Sequence, residues 1–152
     1  MAGRFRVVDT GVLEGRFNIA IDQAMIEEHQ AGRIPDTFRF MRFPPTALIG
    51  RHQALRQEVD VDHCRAHGIG IVRRITGGGA IYLDEGQLGW GLVFHRKALS
   101  ATCLAGLASD ICEAVAAGLR RLGVDARYRP RNDIEVDGRK ISGTGGFFDG
   151  DT

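Results

Sequence analysis

Lysine is scarce in this 152-residue sequence: of its 20 basic residues only Lys97 and Lys140 are lysines, and the others are arginines. The formal net charge is +1 at pH 7, and aromatic residues make up only 7% of the chain. Nucleic-acid-binding surfaces typically combine a basic stripe with interleaved aromatic residues, and this sequence has none. It therefore predicts no nucleic-acid partner.

Cysteine and long apolar runs are also in short supply. Cys64, Cys103 and Cys112 show no C-x-x-C spacing, which argues against a zinc site and favours reduced thiols. The apolar runs are far shorter than the ~20 residues that a membrane span requires. The first residues show no signal-peptide pattern. We therefore expect a cytoplasmic protein with no membrane association.

Glycine, in contrast, is abundant, with 21 residues in the chain. Much of the excess falls in two stretches, residues 68–91 and 138–150. In the first stretch, glycines separate short runs of β-branched and other apolar residues. This pattern predicts three consecutive strands joined by tight turns, over residues 69–75, 80–83 and 88–94. The whole chain is organised around this segment.

The first turn of that segment reads Thr76-Gly77-Gly78-Gly79 and follows Arg73-Arg74 directly. Successive amide groups in a glycine turn can form an anion-binding nest, and guanidinium groups match phosphate and carboxylate geometry. The turn is therefore a candidate anion site. An ordinary glycine hairpin with two solvated arginines is an equally good interpretation of these residues alone. No G-K-[ST] follows the glycines, which excludes a P-loop.

The remaining pattern predicts an α+β domain in which a mainly antiparallel sheet has helices packed on one side. One domain is expected for this length. The expected elements are a strand at 3–9, a turn at 11–15, a helix capped by Asn18 and running to about Gln30, strands at 37–43 and 46–49, a short helix from Asp60 to His67, a helix from Ser100 to a stop at Gly123, a strand at 124–128, and a hairpin at 132–136 and 139–142 around a type I′ Asp137-Gly138 turn.

The second chemical signal is the stretch NDIEVDGRKISGTGG, residues 132–146. A lysine held on a rigid hairpin next to glycines can stabilise negative charge on a phosphate or carbonyl oxygen. Asn132 and Asp133 can bind a ribose, a base edge or a metal ion. In isolation, a solvent-exposed Lys140 on a surface hairpin is the simpler interpretation, because most lysines are solvated.

Together these segments resemble the lipoate–protein ligase family, whose catalytic domain has the biotin/lipoate ligase fold. The resemblance covers nearly the whole chain, in the family's order. The matching segments are Asn18 to Ala24 (N-x-A-x-[DE]-x-A), Ile49 to Gln53 ([IV]-G-R-x-Q), Glu58-Val59, Arg73 to Leu88 (RRITGGGAIYLDEGQL), Asn132-Asp133-Ile134, and Lys140-Ile141-Ser142-Gly143.

The resemblance implies an ATP-dependent ligase that activates lipoate or octanoate as an acyl-adenylate and passes the acyl group to a lysine of a carrier protein. Lys140 would be catalytic, contacting the acyl carbonyl and the α-phosphate. The implied contacts to substrate and nucleotide are Arg73, Arg74, Thr76, Gly77, Gly78, Gly79, Tyr82, Asn132, Asp133, Ser142 and Gly143. ATP, Mg²⁺ (held through Asp133) and lipoate are the implied ligands.

The sequence departs from the family pattern in two ways. Gln87 and Gly91 stand where the family often has Asn and Ser or Thr. The chain also stops at Thr152, whereas the family continues beyond the lysine strand. Residues 1–152 are thus expected to be the N-terminal part of one ligase catalytic domain, incomplete at its C-terminus, with a second chain as one way to complete it.

Two alternatives remain open at the sequence level. One is an octanoyl or lipoyl transferase of the same fold that works without ATP through a cysteine thioester. The other is a non-catalytic subunit that binds a lipoyl carrier.

Overall fold

The computed structural model of the chain describes residues 4–98 and 103–152. In these residues nine strands and four α-helices form two compact units, Met1–Ala98 with Phe148–Thr152, and Leu99–Phe147. In chain order the elements are β1 (Arg6–Val12), α1 (Gly15–Gln30), β2 (Thr37–Arg42), β3 (Thr46–Ile49), α2 (Leu55–Glu58), α3 (Val61–Ala66), β4 (Gly70–Arg73), β5 (Ile81–Leu83), β6 (Gly89–Val93), a 3₁₀ turn (Arg96–Ala98), α4 (Leu104–Arg121), β7 (Arg127–Arg129), β8 (Asp133–Val136) and β9 (Arg139–Gly143).

The strands form three small sheets with the orders β1-β2-β6, β4-β3-β5 and β7-β8-β9. The β1–β2 and β3–β4 pairs are parallel, and the other pairs are antiparallel. In the first unit, α1 packs against β4 and β6. In the second unit, α4 covers one face of the third sheet with a core that includes Cys112, Ala116 and Ile134. The predicted α+β class with mainly antiparallel pairing is confirmed.

The glycine-rich segment differs from its prediction in how its strands pair. All three strands exist, but no two of them are neighbours in a sheet. β4 and β5 flank β3 on its two sides, and β6 pairs with β2 in another sheet. Because β4 is parallel and β5 antiparallel to β3, residues 74–80 cross over the C-terminal end of β3. The predicted tight hairpin is therefore a crossing loop, which lies beside the loop that leaves β3.

Several element boundaries differ from their predictions. The helix predicted to begin at Asn18 begins at Gly15, because the Glu14 carboxylate accepts the amide hydrogens of Arg16 and Phe17 and so caps it. β1 continues to Val12 through an irregularity that contains Gly11, at φ +63°, so the turn expected at 11–15 is mostly strand and helix. The predicted strand start at residue 3 and the predicted helix start at Ser100 lie outside the described residues. In the described part, α4 is capped by Cys103.

Several local predictions hold. The Asp60 side chain accepts the amide hydrogen of His63 and caps α3. Asp137 and Gly138 have φ values of 50° and 72°, as a type I′ turn requires. Gly123, at φ +86°, follows the end of α4. These signals were readable because each depends on only a few neighbouring residues.

A buried arginine holds α1 against the first sheet. The Arg39 side chain is fully buried and donates to Asp22 Oδ1 at 2.7 Å, to the Asn18 carbonyl at 2.9 Å and to the Thr10 hydroxyl at 3.0 Å. Asn18 in turn donates to the carbonyls of Leu13 and Arg42. The helix signature that contains Asn18 and Asp22 is thus a binding site for this guanidinium. Burial raises the pKa of Asp22, while Arg39 opposes that shift.

We predict that Arg39→Leu destabilises the protein by about 3 kcal/mol, because it leaves a half-buried carboxylate and several polar groups without their partner. Thermal or urea unfolding measures the change. Arg33→Leu is the matched control: it breaks an ion pair with Glu28 on the surface and leaves the melting temperature unchanged. Equal effects of the two substitutions would contradict the role given to Arg39.

Candidate functional site

The predicted site residues fall in two groups, one in each unit of the chain. In the first unit, Arg73 closes β4 and directs its guanidinium at the loop after β3. Its Nη1 donates to three carbonyl oxygens, those of Gly50 at 2.9 Å, Arg51 at 3.1 Å and Gln53 at 2.7 Å. Its Nε and Nη2 donate to no acceptor within residues 4–98. Arg73 therefore holds one loop with one nitrogen and keeps hydrogen-bond donors for an anion.

Arg74 points its guanidinium at the glycine loop instead. Nη2 donates to the carbonyls of Gly77 and Gly79, both at 2.8 Å, and Nη1 reaches the Leu48 carbonyl at 3.3 Å. Nε lies 3.2 Å from the Thr76 hydroxyl and from the Gly77 carbonyl. Loss of solvent on burial lowers the pKa of Arg74. Both arginines are thus already engaged by backbone oxygens, and they hold different loops.

The two loops interlock through glycine. A side-chain carbon on Gly50 would lie 2.0 Å from the carbonyl oxygen of Gly78, which leaves no room for one. Gly78 has φ +101°, and a carbon on it would lie 2.7 Å from the Arg74 guanidinium. Carbon atoms built on Gly77 and Gly79 would meet nothing within 4 Å. The first two glycines are needed for packing, whereas the space beside the other two is open.

A shallow groove of about 360 Å³ lies between α1 and β4, and Arg73 is one of its lining residues. Its apolar walls include Ile19, Ala20 and Ile71, and Arg16 adds a second positive charge. An amphipathic groove of this kind suits an apolar chain that carries an anionic end. Another hollow, of about 430 Å³, follows residues 56–62 and includes none of the predicted site residues.

In the second unit, a β-bulge orients the predicted catalytic lysine. Ile134 pairs with Ser142, but the next residue, Glu135, pairs with Lys140, so Ile141 is the extra residue of β9. The bulge brings Lys140 and Gly143 to the same face of the sheet although they are three positions apart. That face carries two cross-strand rows, namely Arg129, Asp133 and Gly143, and Arg127, Glu135 and Lys140.

On this face the Lys140 ammonium lies 2.8 Å from Asp133 Oδ1. A side-chain carbon on Gly143 would lie 2.8 Å from Lys140 Nζ, so the bare glycine makes room for the ammonium group. Arg129 lies 3.3 Å from the other oxygen of Asp133. The Lys140 side chain remains about half exposed, so its ammonium is oriented by a carboxylate and still open to a ligand.

The other predicted residues have more varied positions. Asn132 donates from its side chain to the Thr144 carbonyl, and its own carbonyl accepts from the Thr144 amide and hydroxyl, so it fastens the segment after β9. Ser142 lies on β9 opposite Ile134. Tyr82 lies about half exposed on the edge strand β5. Its hydroxyl makes no hydrogen bond to the glycine loop within the described residues.

Asp133 was the predicted metal ligand. Within the described residues, no group of three or more His, Cys, Asp or Glu side chains is placed to hold a metal ion. Mg²⁺ needs no such group, since it is commonly bound by one or two carboxylates together with substrate phosphates. The Asp133 carboxylate fits that pattern, although Lys140 and Arg129 already share it.

Two of the three thiols are buried. Cys112 is fully buried in the core of the second unit, and burial raises its pKa; its sulfur lies 3.6 Å from the Thr144 hydroxyl, which opposes the shift. Cys64 is buried in α3. Because a reactive thiolate needs an accessible site, neither of these two is placed for nucleophilic chemistry. Cys103 is exposed, and its sulfur accepts the Gly106 amide hydrogen and caps α4.

The chain belongs to the lipoyl protein ligase A/B catalytic domain family, whose sequence profile matches residues 14–151. Its fold agrees with solved members. It superposes with a TM-score of 0.85 on a bipartite lipoate protein ligase from Thermoplasma acidophilum, at 29% identity over 97% of this chain and 57% of that chain. It superposes with a TM-score of 0.83 on an ATP-bound lipoate-protein ligase A, at 31% identity over 98% of this chain and 62% of that chain.

Curated relatives carry both activities in their names. An octanoyltransferase LipM from Moorella thermoacetica is 36% identical over 126 residues, 80% of this chain and 45% of its own length. A lipoate-protein ligase A subunit 1 from Thermoplasma acidophilum is 35% identical over 136 residues, 90% of this chain and 50% of its own length. The chain thus spans about half the length of these two relatives. None of the helices described here is long and apolar enough to cross a membrane.

Sequence reasoning missed the loop after β3. The G-R-x-Q pattern of residues 50–53 matches the ligase family, but the sequence alone indicates no role for Gly50 or Gln53. In the structure, the side-chain oxygen of Gln53 accepts the Gly50 amide hydrogen. The carbonyl oxygen of Gly78 packs against Gly50, where a side chain would otherwise lie. The sequence shows only a glycine close to a polar residue. Its role depends on the contact with the crossing loop, which the sequence does not reveal.

We predict that Gly50→Ala destabilises the first unit by about 1–3 kcal/mol, because the added methyl group must displace the backbone of Gly78. Gly77→Ala is the control and leaves stability nearly unchanged, since its methyl group meets open space. Chemical denaturation of both variants checks the difference. Equal stabilities would mean that the loops do not interlock as described.

Proposed function

We propose that the protein acts in lipoate–protein ligation, as the part of a ligase that binds ATP and the acyl substrate. A carboxylate oxygen of lipoate or octanoate attacks the α-phosphorus of ATP, the bond to the β-phosphate oxygen breaks, and pyrophosphate leaves. The amine of a carrier lysine then attacks the acyl carbon of the adenylate. AMP leaves, the amine loses a proton, and an amide is formed.

The protein's part in both steps is positioning and charge neutralisation, because phosphoryl and acyl transfer of this type need little covalent help. Lys140 is proposed to contact the acyl carbonyl and the α-phosphate, with Asp133 keeping its ammonium oriented. Arg73 is proposed to use its free nitrogens on phosphate or carboxylate. The nucleotide and acyl pocket is proposed to be bordered by the glycine loop, Thr76 to Gly79. Further proposed contacts are Tyr82, Asn132, Ser142 and Gly143.

Mg²⁺ would be held by Asp133 together with the phosphates, and when bound it would neutralise charge on the departing pyrophosphate. The groove along α1 offers an apolar wall for the acyl chain. Its carboxylate end would meet the positive charge of Arg73, which lines the groove.

One observation carries the choice of ATP chemistry over a thioester. Of the thiols in the described residues, Cys64 and Cys112 are buried, and burial raises the pKa of Cys112, so neither offers the accessible thiolate that a thioester needs. The ATP-bound relative, 31% identical to this chain, supports the same choice.

The runner-up is an octanoyl or lipoyl transferase that moves the acyl group between carrier proteins through a cysteine thioester. The relatives named octanoyltransferase LipM favour it. Pyrophosphate release separates the two. A ligase releases pyrophosphate only when ATP and lipoate are both present, whereas a transferase forms acylated carrier from an acyl donor protein without ATP.

We also propose two partners, a lipoyl-accepting carrier and a second polypeptide that completes the domain. The Thermoplasma relative, described as a bipartite ligase studied with its E2 lipoyl domain, supports both. The third reading, a non-catalytic carrier-binding subunit, predicts carrier binding that does not change when Lys140 is removed. Assays of activity should therefore include the completing polypeptide.

We predict that Lys140→Ala lowers kcat for adenylate formation by about 10²–10³-fold, as expected when one donor to a developing negative charge is lost. Single-turnover pyrophosphate release measures the effect. Lys97→Ala is the matched control, because it removes the only other lysine of the chain and lies in the 3₁₀ turn. Full activity in Lys140→Ala would exclude the catalytic role and favour the binding-subunit reading.

We further predict that Gly79→Ala weakens ATP binding by about tenfold without loss of stability, since the methyl group enters space that no described protein atom occupies. Calorimetric titration with ATP and Mg²⁺ measures the affinity, and thermal unfolding measures the stability. Gly118→Ala, on α4, serves as a control with equally open surroundings. Unchanged ATP affinity in Gly79→Ala would show that the glycine loop is only a surface turn.

A further inference from the structure

The carbonyl groups of the glycine loop are held by contacts with neighbouring residues, whereas its amide groups are left without such contacts. The Thr76 carbonyl accepts the Arg51 amide hydrogen at 2.9 Å. The Gly77 carbonyl accepts from Arg74, and the Gly78 carbonyl packs against the Cα of Gly50. Three consecutive peptide groups therefore have their oxygens held by contacts with other residues of the first unit.

In a trans peptide group the C=O and the following N–H point in opposite directions. The amides of Gly77, Gly78 and Gly79 therefore each point away from the contact that the oxygen of the same peptide group makes. None of them donates to a protein acceptor within residues 4–98. Three successive amides without a protein acceptor in that part of the chain, with open space beside Gly77 and Gly79, are donors available to anionic oxygens.

From this geometry we infer that Arg74 is a positioning residue: it does not contact the ligand but holds the carbonyls of Gly77 and Gly79, which fixes the loop and turns the Gly78 amide towards the ligand. This rests on the proposed function, because the ligand is taken to be the phosphate of ATP. Arg74 is the one side chain within residues 4–98 that donates to two carbonyls of the loop, those of Gly77 and Gly79, and it also links the loop to Leu48 on β3.

The planar guanidinium is necessary for this role. It reaches Leu48 on one side and Gly77 and Gly79 on the other, with donors in a fixed fork. A lysine ammonium is a compact charge on a flexible stem and cannot hold acceptors at two edges of such a planar group. Charge alone should therefore not replace Arg74.

The neighbouring arginine has the complementary role. Arg73 binds the loop after β3 through one nitrogen, Nη1, so that Nε and Nη2 remain available to a ligand. Arg74 uses all its N–H groups for contacts within the protein except one hydrogen of Nη1. One pair of adjacent arginines thus divides the work between contact and positioning.

The test compares Arg74→Lys with the wild-type protein in a ¹⁵N NMR spectrum without ligand, followed by titration with ATP and Mg²⁺. We expect shifted amide resonances for Gly77–Gly79 and faster hydrogen exchange at the Arg51 amide, which bonds to Thr76 in the wild type. ATP affinity should fall about tenfold, consistent with several misplaced hydrogen bonds. Arg65→Lys, which alters an exposed ion pair on α3, should leave both readouts unchanged.

The inference would be overturned if the Gly77–Gly79 resonances and the Arg51 amide exchange were unchanged in Arg74→Lys. It would also be overturned if ATP affinity fell while the loop stayed intact, because Arg74 would then contact the ligand directly. If Arg74→Lys does not fold, Thr76→Val removes only the hydroxyl that accepts from Nε, and the same resonances should shift less but in the same direction. A wild-type protein that binds no ATP would refute the nucleotide assignment alone, since the ligand-free spectra test the positioning of the loop independently.

Discussion

The structure of the candidate site depends on one constraint: the backbone oxygens of two neighbouring loops need partners, and two adjacent arginines supply them. Successive side chains of a strand point to opposite faces. Arg73 and Arg74 therefore reach different loops from the end of β4. Because each guanidinium is tied to carbonyl oxygens, the loop amides are left as free donors. The anion site that we propose follows from the way the carbonyls are held, without any dedicated binding side chain in the glycine run.

The second unit achieves a related result with side chains. The bulge at Ile141 moves Lys140 to the face that carries Asp133, and the missing side chain at Gly143 leaves room for the ammonium group. A lysine without these features would sample many rotamers in solvent. The opposite face of the same sheet is covered by α4, so the rigid core and the charged face share one short hairpin. Each unit therefore presents a small number of preorganised donors on a well-supported strand.

Much of the fold could be predicted from the sequence, and the exceptions have a common cause. The Asp137-Gly138 turn, the Asp60 cap and the periodicity of α4 depend on contacts a few residues apart, and all three appear in the structure. The pairing of β4, β5 and β6 depends on contacts with β2 and β3, which local patterns do not encode. The same limit applies to the site. Arg73, Arg74 and the glycines were recognisable as a group, but the division of labour between the arginines needed the positions of the carbonyls of Leu48 and Gly50.

The central claim is that the amides of the glycine loop bind phosphate oxygens, and a direct observation of such a hydrogen bond tests it. In protein labelled with ¹⁵N and saturated with ATP and Mg²⁺, NMR can detect a scalar coupling between the amide nitrogen of Gly78 and a phosphorus of the nucleotide. We expect that coupling, together with a large downfield shift of the Gly78 amide proton. Bound ATP with no coupling at any of the three glycines, and with their resonances unmoved, would contradict the account.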